Sequence, residues 1–332
     1  MLDSLVSGVV FGAALTATGM YEPAVIVSQM KLENWHMVQT FLTASSASTL
    51  IVALFQKLDY LHVKPRNYSS LGLLGPLDGN LLGGALLGVG MTLSGSCPGS
   101  VFAQVGAGVP AGFYTLAGCV LGGLVWSGIL RPTLASLKSK HRPSQQQQQP
   151  LPLTIHDAVG TSRAVVLLGT EVVFVTAIAT ISTLGLVKTR GLVGPVSGGL
   201  LVASAQLFSA LIRKTLLGTS ASFEELGDYL AWRIRGGQGP KPTSYSSIAV
   251  VSGMVLGGFG LSLIYSLPEM RPGVHIGTSR LILGGVLMAV GSRMGGGCTS
   301  GHGITGISLL SISSFVSVTA MFAGAFSAGA FI

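Results

Sequence analysis

Residues 293–308 hold the sequence feature that most limits how this chain can fold. The segment reads Arg293-Met-Gly-Gly-Gly-Cys298-Thr-Ser-Gly-His302-Gly-Ile-Thr-Gly-Ile-Ser308, and an apolar run from Leu281 to Val290 precedes it. Consecutive glycines favour the end of a helix, because glycine adopts backbone conformations that other residues avoid. The pattern therefore predicts a helix that stops, a glycine turn with a thiol at its apex, and a new helix that follows.

The same pattern occurs once before in the chain, 201 residues earlier. Residues 82–97 and 283–298 are identical at 8 of 16 aligned positions, including Cys97 and Cys298. Such self-similarity indicates an internal repeat. The segment Gly95-Ser96-Cys97-Pro98-Gly99 is then a second break of the same kind.

The composition requires a membrane around this repeat. Only 9% of the 332 residues are charged, whereas a soluble domain carries about 25%. Apolar runs of roughly 18–25 residues recur, which is the length of a transmembrane helix and not the ~10-residue alternation of a membrane barrel. We therefore expect an all-α, multi-pass integral membrane protein whose partner is the lipid bilayer. The formal charge of +8 lies in loops, so no nucleic-acid partner is expected.

The apolar runs divide the chain into two halves around a polar segment. Residues 1–130 form the first repeat half and residues 195–332 the second, and residues 163–194 form a transmembrane helix that links them. Residues 131–162 are rich in glutamine and proline, and we expect a disordered loop there. The total is nine transmembrane helices and four short re-entrant or broken helices. Ser222 and Glu225 have capping-box spacing at the start of one short helix.

The positive charges set the expected orientation. With the N-terminus in the cytoplasm, 14 of the 19 Lys and Arg residues fall in inner loops, as the positive-inside rule requires. The linking helix then makes the two halves inverted relative to each other. Inverted repeats with broken helices are typical of transporters. The glutamine tract and the absence of a signal peptide favour the plasma membrane.

The chemistry at the two breaks favours an anion that contains sulfur. Irregular backbone at membrane depth must be buried in protein or line a wet path, so we expect the breaks to meet near the middle of the membrane. The N-terminus of each following helix offers unpaired N–H groups to an anion. Cys97 and Cys298 add soft, polarizable thiols. Thiosulfate has atoms for both kinds of group, whereas sulfate would leave the thiols without a purpose.

These motifs resemble the YeeE/YedE family of membrane carriers for sulfur compounds, whose best-understood activity is thiosulfate uptake. The resemblance extends over nearly the whole chain and implies nine spans, four central loops and three cysteines that relay thiosulfate by brief hydrogen bonds. Cys97 and Cys298 match two of the three cysteines. At the position of the third, this chain has Met20, which keeps a sulfur atom but lacks the S–H donor. A small inorganic sulfur anion is the expected substrate, and a sulfurtransferase on the cytoplasmic side is a candidate partner.

We expect a substrate path with no metal and no cofactor. Arg293 could attract the anion, since charges deep in a membrane are usually functional, or it could extend to the inner surface. His302 lies one helical turn after Cys298 and is either a path residue or a structural histidine. Cys119 fits helix packing, Glu22 fits a capping charge, and Glu171 either couples transport or pairs with a polar neighbour. The expected path residues are Cys97, Cys298, Met20, Arg293, His302, Ser96, Gly297, Thr299 and Ser300.

Three functions remain open at this point. The first is a permease for thiosulfate or a related anion, which is not an enzyme. The second is a membrane sulfur-transfer protein in which Cys298, activated by the helix N-terminus, forms a persulfide. The third is a membrane scaffold in which the repeat serves only packing.

Overall fold

The structure, a computed structural model, describes residues 1–73, 75–140, 151–238, 241–268 and 276–332. Over these residues the chain is helical, and an isolated bridge between Thr154 and Ser311 is its one extended pairing. The expectation of an all-α membrane protein is therefore confirmed.

The first half contains two helical breaks between longer helices. Pro23, Pro110 and, in the second half, Pro195 each start a helix at a position where the missing N–H costs nothing. Gly95 ends the fourth helix in the left-handed conformation, with φ of 60°. The helices are α1 (Leu2–Ala17), α2 (Pro23–Met30), α3 (His36–Lys57), α4 (Asp78–Ser94), α5 (Ser100–Gly106) and α6 (Pro110–Val125).

The segment between the halves is more ordered than its composition predicts. A π-helical turn, Trp126–Leu130, continues α6 into α7 (Arg131–Lys140), and α8 (Ile155–Val159) precedes α9 (Arg163–Thr183). Helices therefore occupy part of each described end of the range 131–162, for which the sequence predicts a disordered loop. Arg131 gains carboxylate partners on a distant helix, and Ile155 N donates to Leu310 O at 3.0 Å. Gln145 to Gln149 lie outside the described residues.

The second half repeats the order of the first. One local prediction fails here: Ser222 and Glu225 do not form a capping box. The Ser222 hydroxyl donates to Thr219 O, and the Glu225 carboxylate accepts the N–H groups of Ser247 and Ile248 at the start of another helix. The helices are α10 (Pro195–Arg213), α11 (Ala221–Ile234), α12 (Ser246–Ile264), α13 (Thr278–Met294), the π-helix Thr299–Gly306 and α14 (Ile312–Gly329).

The two halves pack reciprocally. Helix α1 contacts α12 as α10 contacts α3, and α4 contacts α14 as α13 contacts α6. The short α5 contacts α12 as the π-helix Thr299–Gly306 contacts α3. The equivalent helices α4 and α13 contact each other directly. Exchanging the halves therefore preserves the main helix contacts, as a two-fold relation between them would require.

Glycines let the backbones of the central helices touch. A Cβ atom on Gly90 would lie 2.6 Å from Met288 N, and one on Gly291 would lie 2.7 Å from Gly83 O. Both distances are too short for any side chain, so these positions allow α4 and α13 to cross closely. The internal repeat includes Gly83, Gly90 and Gly291. Close helix packing therefore explains part of the sequence identity between the two copies of the repeat.

Six helices among the described residues are long and apolar enough to cross a membrane. A seventh span results if Thr278–Met294 and Thr299–Gly306, bent by 41°, are counted together. Helices α1 and α4 have 16 and 17 residues and each ends at a break. The count of nine spans includes both of these helices, and it stays a prediction. The six helices are His36–Lys57, Pro110–Leu137, Arg163–Thr183, Pro195–Arg213, Ser246–Ile264 and Ile312–Gly329.

The connecting segments gather at two ends of the molecule. At one end, Asn34 Nδ2 donates to Lys188 O at 3.1 Å and Tyr21 Oη donates to Pro268 O at 2.9 Å. At the other end, Arg66 N donates to Ser311 Oγ at 3.0 Å. Segments that the charge count assigns to one side of the membrane therefore contact each other. We call the end with Arg66 the basic end.

Candidate functional site

The break after α4 turns its thiol toward the start of the next helix. Ser96 is fully buried and donates its hydroxyl hydrogen to the side-chain oxygen of Gln104. The Cys97 sulfur accepts the N–H of Ser100 at 3.2 Å, so the thiol itself occupies a donor at the N-terminus of α5. The hydrogen bond of Ser96 thus holds the turn in place, whereas Cys97 remains half-buried.

The break after α13 depends on two glycines. Gly296 has φ of 81°, in the left-handed region that favours glycine. A Cβ atom on Gly297 would lie 2.8 Å from His302 Cδ2 and 2.9 Å from Arg66 Nη1. Cys298 follows in extended conformation and is 1% exposed. The predicted glycine turn with a buried thiol is present, and Gly297 serves it by the close approach it permits.

Hydroxyl groups surround the Cys298 thiol. Its sulfur lies 3.3 Å from Ser300 Oγ and 3.4 Å from Thr219 Oγ1. Thr219 lies in the break between α10 and α11, and a buried side chain shapes that break: Gln206 Oε1 accepts Leu217 N at 2.9 Å. Three of the four breaks are therefore linked, since Ser300 also borders the cavity that Cys97 lines.

A central cavity of about 60 Å³ brings the remaining break into the same site. Met20, from the break between α1 and α2, lines it together with Cys97, Thr299 and Ser300. The cavity volume exceeds the 10–15 Å³ or so that one water requires. The cavity therefore suits a molecule of the size of a small anion. The other lining residues are mostly apolar: Phe11, Leu15, Met37, Thr40, Phe41, Ala44, Gly99, Val202 and Ile304.

Cys298 borders a second, smaller cavity. That cavity measures about 10 Å³ and is also lined by Gly295, Gly297, His302 and Met321. Thr299 lines the central cavity, and its hydroxyl faces the sulfur atoms of Met91 at 3.6 Å and Met321 at 3.5 Å. Soft sulfur atoms thus continue from the central cavity past Cys298.

The breaks after α4 and α13 approach the central cavity from opposite ends of the protein. A Cβ atom on Gly95 would lie 2.8 Å from Pro23 Cβ and 3.1 Å from Ile276 Cδ1, both at the end opposite the basic end. Gly296 instead accepts a hydrogen bond from Arg66 Nη1 at 2.9 Å. Met20 and Cys97 therefore lie on one side of the central cavity, and Cys298 lies on the side of the basic end.

His302 is held on both ring nitrogens. Its Nε2 lies 3.0 Å from Gly295 O, which can only accept, so Nε2 carries the proton. Nδ1 then accepts from Ser314 Oγ at 3.0 Å. The ring therefore connects the Gly295 carbonyl to Ser314 across the glycine turn. This arrangement fits the interpretation of His302 as a structural histidine.

Arg293 has an acidic partner. Its Nη2 forms an ion pair with Glu224 on α11, and Glu224 also pairs with Arg131 Nη1 at 2.7 Å. Arg131 Nη2 reaches Asp228 at 2.6 Å. Two arginines and two carboxylates therefore tie α13 to α11 and α7, and the charge of Arg293 is largely compensated within this network.

The other polar candidates have ordinary packing roles. The Ser46 hydroxyl donates to Glu171 Oε2, which joins α9 to α3, so Glu171 has the polar neighbour that was one alternative for it. Glu22 is the N-cap residue of α2, and Cys119 is buried where α6 packs on α13. Over the described ranges, no group of three or more His, Cys, Asp or Glu residues could hold a metal ion.

Two residues of this site were absent from the predicted set. Thr219 could have been found, because Gly218-Thr219-Ser220 repeats the glycine and hydroxyl pattern that surrounds Cys298. Arg66 carries no such signal, since it lies in a polar connection far from both motifs. Burial lowers the pKa of its guanidinium, but arginine starts so high that it stays charged.

The chain resembles known membrane transporters. The profile of the family described as "Sulphur transport" matches residues 17–327. A protein named "Thiosulfate transporter TsuA" from Spirochaeta thermophila is 25% identical over 281 residues, which is 80% of this chain and 80% of the relative. A protein named "Probable transporter" from Xylella fastidiosa Temecula1 is 32% identical over 130 residues, 39% of this chain and 84% of its own, and one from strain 9a5c matches equally.

Proposed function

The chain belongs to the sulphur transport (YeeE/YedE) family, and from this we propose that it is a permease for thiosulfate or a closely related sulfur anion. The observation that carries the proposal is the meeting of four helical breaks around sulfur and hydroxyl groups. Met20, Cys97, Thr299 and Ser300 share one cavity, and Cys298 lies directly behind Ser300. One relative is named a thiosulfate transporter, which agrees with this substrate.

The proposed path runs from Met20 through Cys97 to Cys298. Each sulfur offers a soft contact to the terminal sulfur of the anion, and neighbouring hydroxyl groups serve its oxygens. Thr299 and Ser300 supply such hydroxyls between the two thiols. Ser96, Gly297 and His302 act by shaping the turns, and Arg293 contributes a positive field from within its ion-pair network.

The proposed topology has nine transmembrane helices in two inverted halves, with the N-terminus in the cytoplasm of a plasma-membrane protein. The reciprocal helix contacts support two related halves. The gathering of connections at two ends supports alternating spans. The two relatives from Xylella match over most of their own length but under half of this chain, as single-half proteins would. A cytoplasmic sulfurtransferase would receive the imported sulfur at the basic end.

Uptake of labelled thiosulfate into liposomes that contain the purified protein tests the function directly. We expect uptake by the wild type and its loss in Cys97→Ala and Cys298→Ala, because each variant removes a thiol from the path. Cys119→Ala is the matched control, since that thiol is buried in helix packing away from the cavity. Normal uptake by Cys298→Ala would refute the thiol path, and no uptake by the wild type would favour the scaffold.

Met20 tests the contribution of the thioether in the same assay. Met20→Leu keeps the volume and removes the sulfur, and we expect slower uptake. Met20→Cys restores the cysteine of the family pattern, and we expect it to transport at least as well as the wild type. Equal rates for Met20→Leu and the wild type would remove Met20 from the proposed path.

The alternative of a persulfide on Cys298 rests on the two hydroxyls near its sulfur, which would stabilise a thiolate. Incubation with thiosulfate followed by mass spectrometry distinguishes the two functions. A permease leaves Cys298 unmodified. In a sulfur-transfer protein the Cys298 thiolate would attack the outer sulfur of thiosulfate, the S–S bond would break and sulfite would leave, so Cys298 would retain an added sulfur atom.

A further inference from the structure

Arg66 places a positive charge against the Cys298 turn. Its Nη1 donates to Gly296 O at 2.9 Å, and its Nε is buried without a hydrogen-bond partner. Among the described residues it takes part in no ion pair, whereas Arg293 and Arg131 share Glu224. A guanidinium that no carboxylate pairs within the described residues can offer its N–H groups to an anion.

The guanidinium and the Cys298 thiol face the same small space. A Cβ atom on Gly301 would lie 3.1 Å from Arg66 Nη2 and 3.7 Å from Cys298 Sγ. Any side chain at position 301 would therefore occupy the gap between them. A Cβ atom on Gly297 would likewise lie 2.9 Å from Nη1. The two glycines thus let the guanidinium lie close to the Cys298 turn.

The fold holds Arg66 in place before any ligand arrives. Its N–H donates to Ser311 Oγ at 3.0 Å, and its carbonyl accepts from Ser313 Oγ at 3.1 Å. The segment that carries it therefore packs against the start of α14, although it is not helical. Gly296, to which the guanidinium is bonded, is exposed. The position is thus preorganised and open to solvent at the basic end.

We propose that Arg66, Cys298 and the space beside Gly301 form an anion site at the basic end of the path, where Arg66 selects a tetrahedral oxyanion that carries a terminal sulfur. The planar guanidinium binds two oxygens at once, while the sulfur of the anion faces the thiol. Arg66 thereby draws the anion from Cys298 toward the end of the path. This assignment rests on the proposed function and adds to the path a second cation, which in the described residues forms no ion pair as Arg293 does.

Substitutions at Arg66 separate binding from structure. Arg66→Gln removes the charge, Arg66→Lys keeps it without the planar fork, and Gly301→Ala fills the space while leaving Arg66 intact. Arg235→Gln is the matched control, because Arg235 Nη2 also donates to a backbone carbonyl, Gly128 O at 3.2 Å, but lies away from the site. Each protein is compared with the wild type in liposome uptake and in thermal unfolding with thiosulfate or sulfate added.

We expect Arg66→Gln to raise the KM for thiosulfate by about tenfold or more, since charge-assisted hydrogen bonds have that effect on affinity. It should also lose the stabilisation by thiosulfate that the wild type shows, and Arg66→Lys and Gly301→Ala should fall between the two. Arg235→Gln should behave as the wild type. The proposal would be overturned if Arg66→Gln had an unchanged KM and a lower unfolding temperature in the absence of anion. Arg66 would then have only a structural role.

The outcome is independent of whether the wild type transports. If the wild type takes up thiosulfate and Arg66→Gln matches it in KM, the anion site is wrong and the permease stands. If the wild type shows no uptake, the permease falls. In that case, thiosulfate stabilisation that is lost in Arg66→Gln would still support the site, and equal stabilisation of both proteins would refute it.

Discussion

The hydroxyl oxygen of Thr219 lies 3.4 Å from the sulfur of Cys298, across two breaks that belong to different helix pairs of the second half. Thr219 also lies 3.5 Å from Ser300 Oγ, so one hydroxyl contacts both polar groups at the start of the π-helix Thr299–Gly306. The orientation of the Cys298 thiol thus depends on a residue that sits outside both glycine motifs.

Thr219→Val should slow thiosulfate uptake without unfolding the protein. Valine keeps the shape of threonine but removes the hydroxyl, and a lost hydrogen bond of this kind is worth about 1 kcal/mol, or several-fold in rate. Liposome uptake measures the effect. The control is Thr180→Val, whose exposed hydroxyl bonds only to its own helix at Thr176 O. A normal rate for Thr219→Val would show that Ser300 alone orients the thiol.

His302→Leu should lower stability far more than substrate affinity. The substitution leaves the buried hydroxyl of Ser314 without its His302 partner, which costs about 1–3 kcal/mol. It also removes one of two hydrogen bonds to the Gly295 carbonyl, since Asn80 Nδ2 still donates there at 3.0 Å. Chemical unfolding in detergent measures this change, and liposome uptake gives the KM. Ser314→Ala removes only one of the two bonds and should lie between. A large rise in KM at unchanged stability would instead make His302 a substrate ligand.

Arg293 and Glu224 should show strong coupling. Single variants Arg293→Gln and Glu224→Gln each leave a charge without its main partner, and both should destabilise the protein. The double variant should lose less than the sum, by about 0.5–3 kcal/mol, as expected for residues in one ion-pair network. Unfolding of the four proteins at low and high salt measures the coupling. Purely additive losses would mean that the pair contributes nothing to the attachment of α13 to α11.

Gly296→Ala should damage the Cys298 turn, whereas Gly260→Ala should not. Gly296 has φ of 81°, where a Cβ atom costs about 1–2 kcal/mol. Gly260 lies within α12 with open space around it, so alanine there should be neutral or slightly stabilising. Unfolding and uptake of the two variants form a matched pair. Full activity of Gly296→Ala would show that the turn does not need this conformation.

The features that were predicted best from the sequence are those that depend on residues close together in the chain. Breaks at Gly95 and Gly296 and helix starts at Pro23 and Pro195 follow from backbone preferences that act within a few residues. The pairing of the two halves was also visible, because the repeat carries the glycines through which α4 and α13 touch. These features need no knowledge of distant parts of the chain.

What the sequence did not reveal depends on groups supplied from far away. Residues 131–140 continue the helix that begins with α6, and carboxylates on α11 pair with Arg131 at its start. Glu225 caps α12 and not its own helix, since the N–H groups of Ser247 and Ile248 lie within its reach. Arg66 reaches the Cys298 turn only because its connection folds back under α13. No local pattern encodes such long-range partners.

The glycine contacts between the long helices bear on how the passage opens. Where α4 crosses α13, carbonyl oxygens of one helix press on the bare Cα atoms of the other, and no side chain is available to maintain contact if they part. If one half slid or tilted against the other, these backbone atoms would lose their packing contacts. The frame is therefore expected to stay still during turnover, while the short segments at the breaks move aside. Such a protein would behave as a narrow gated conduit.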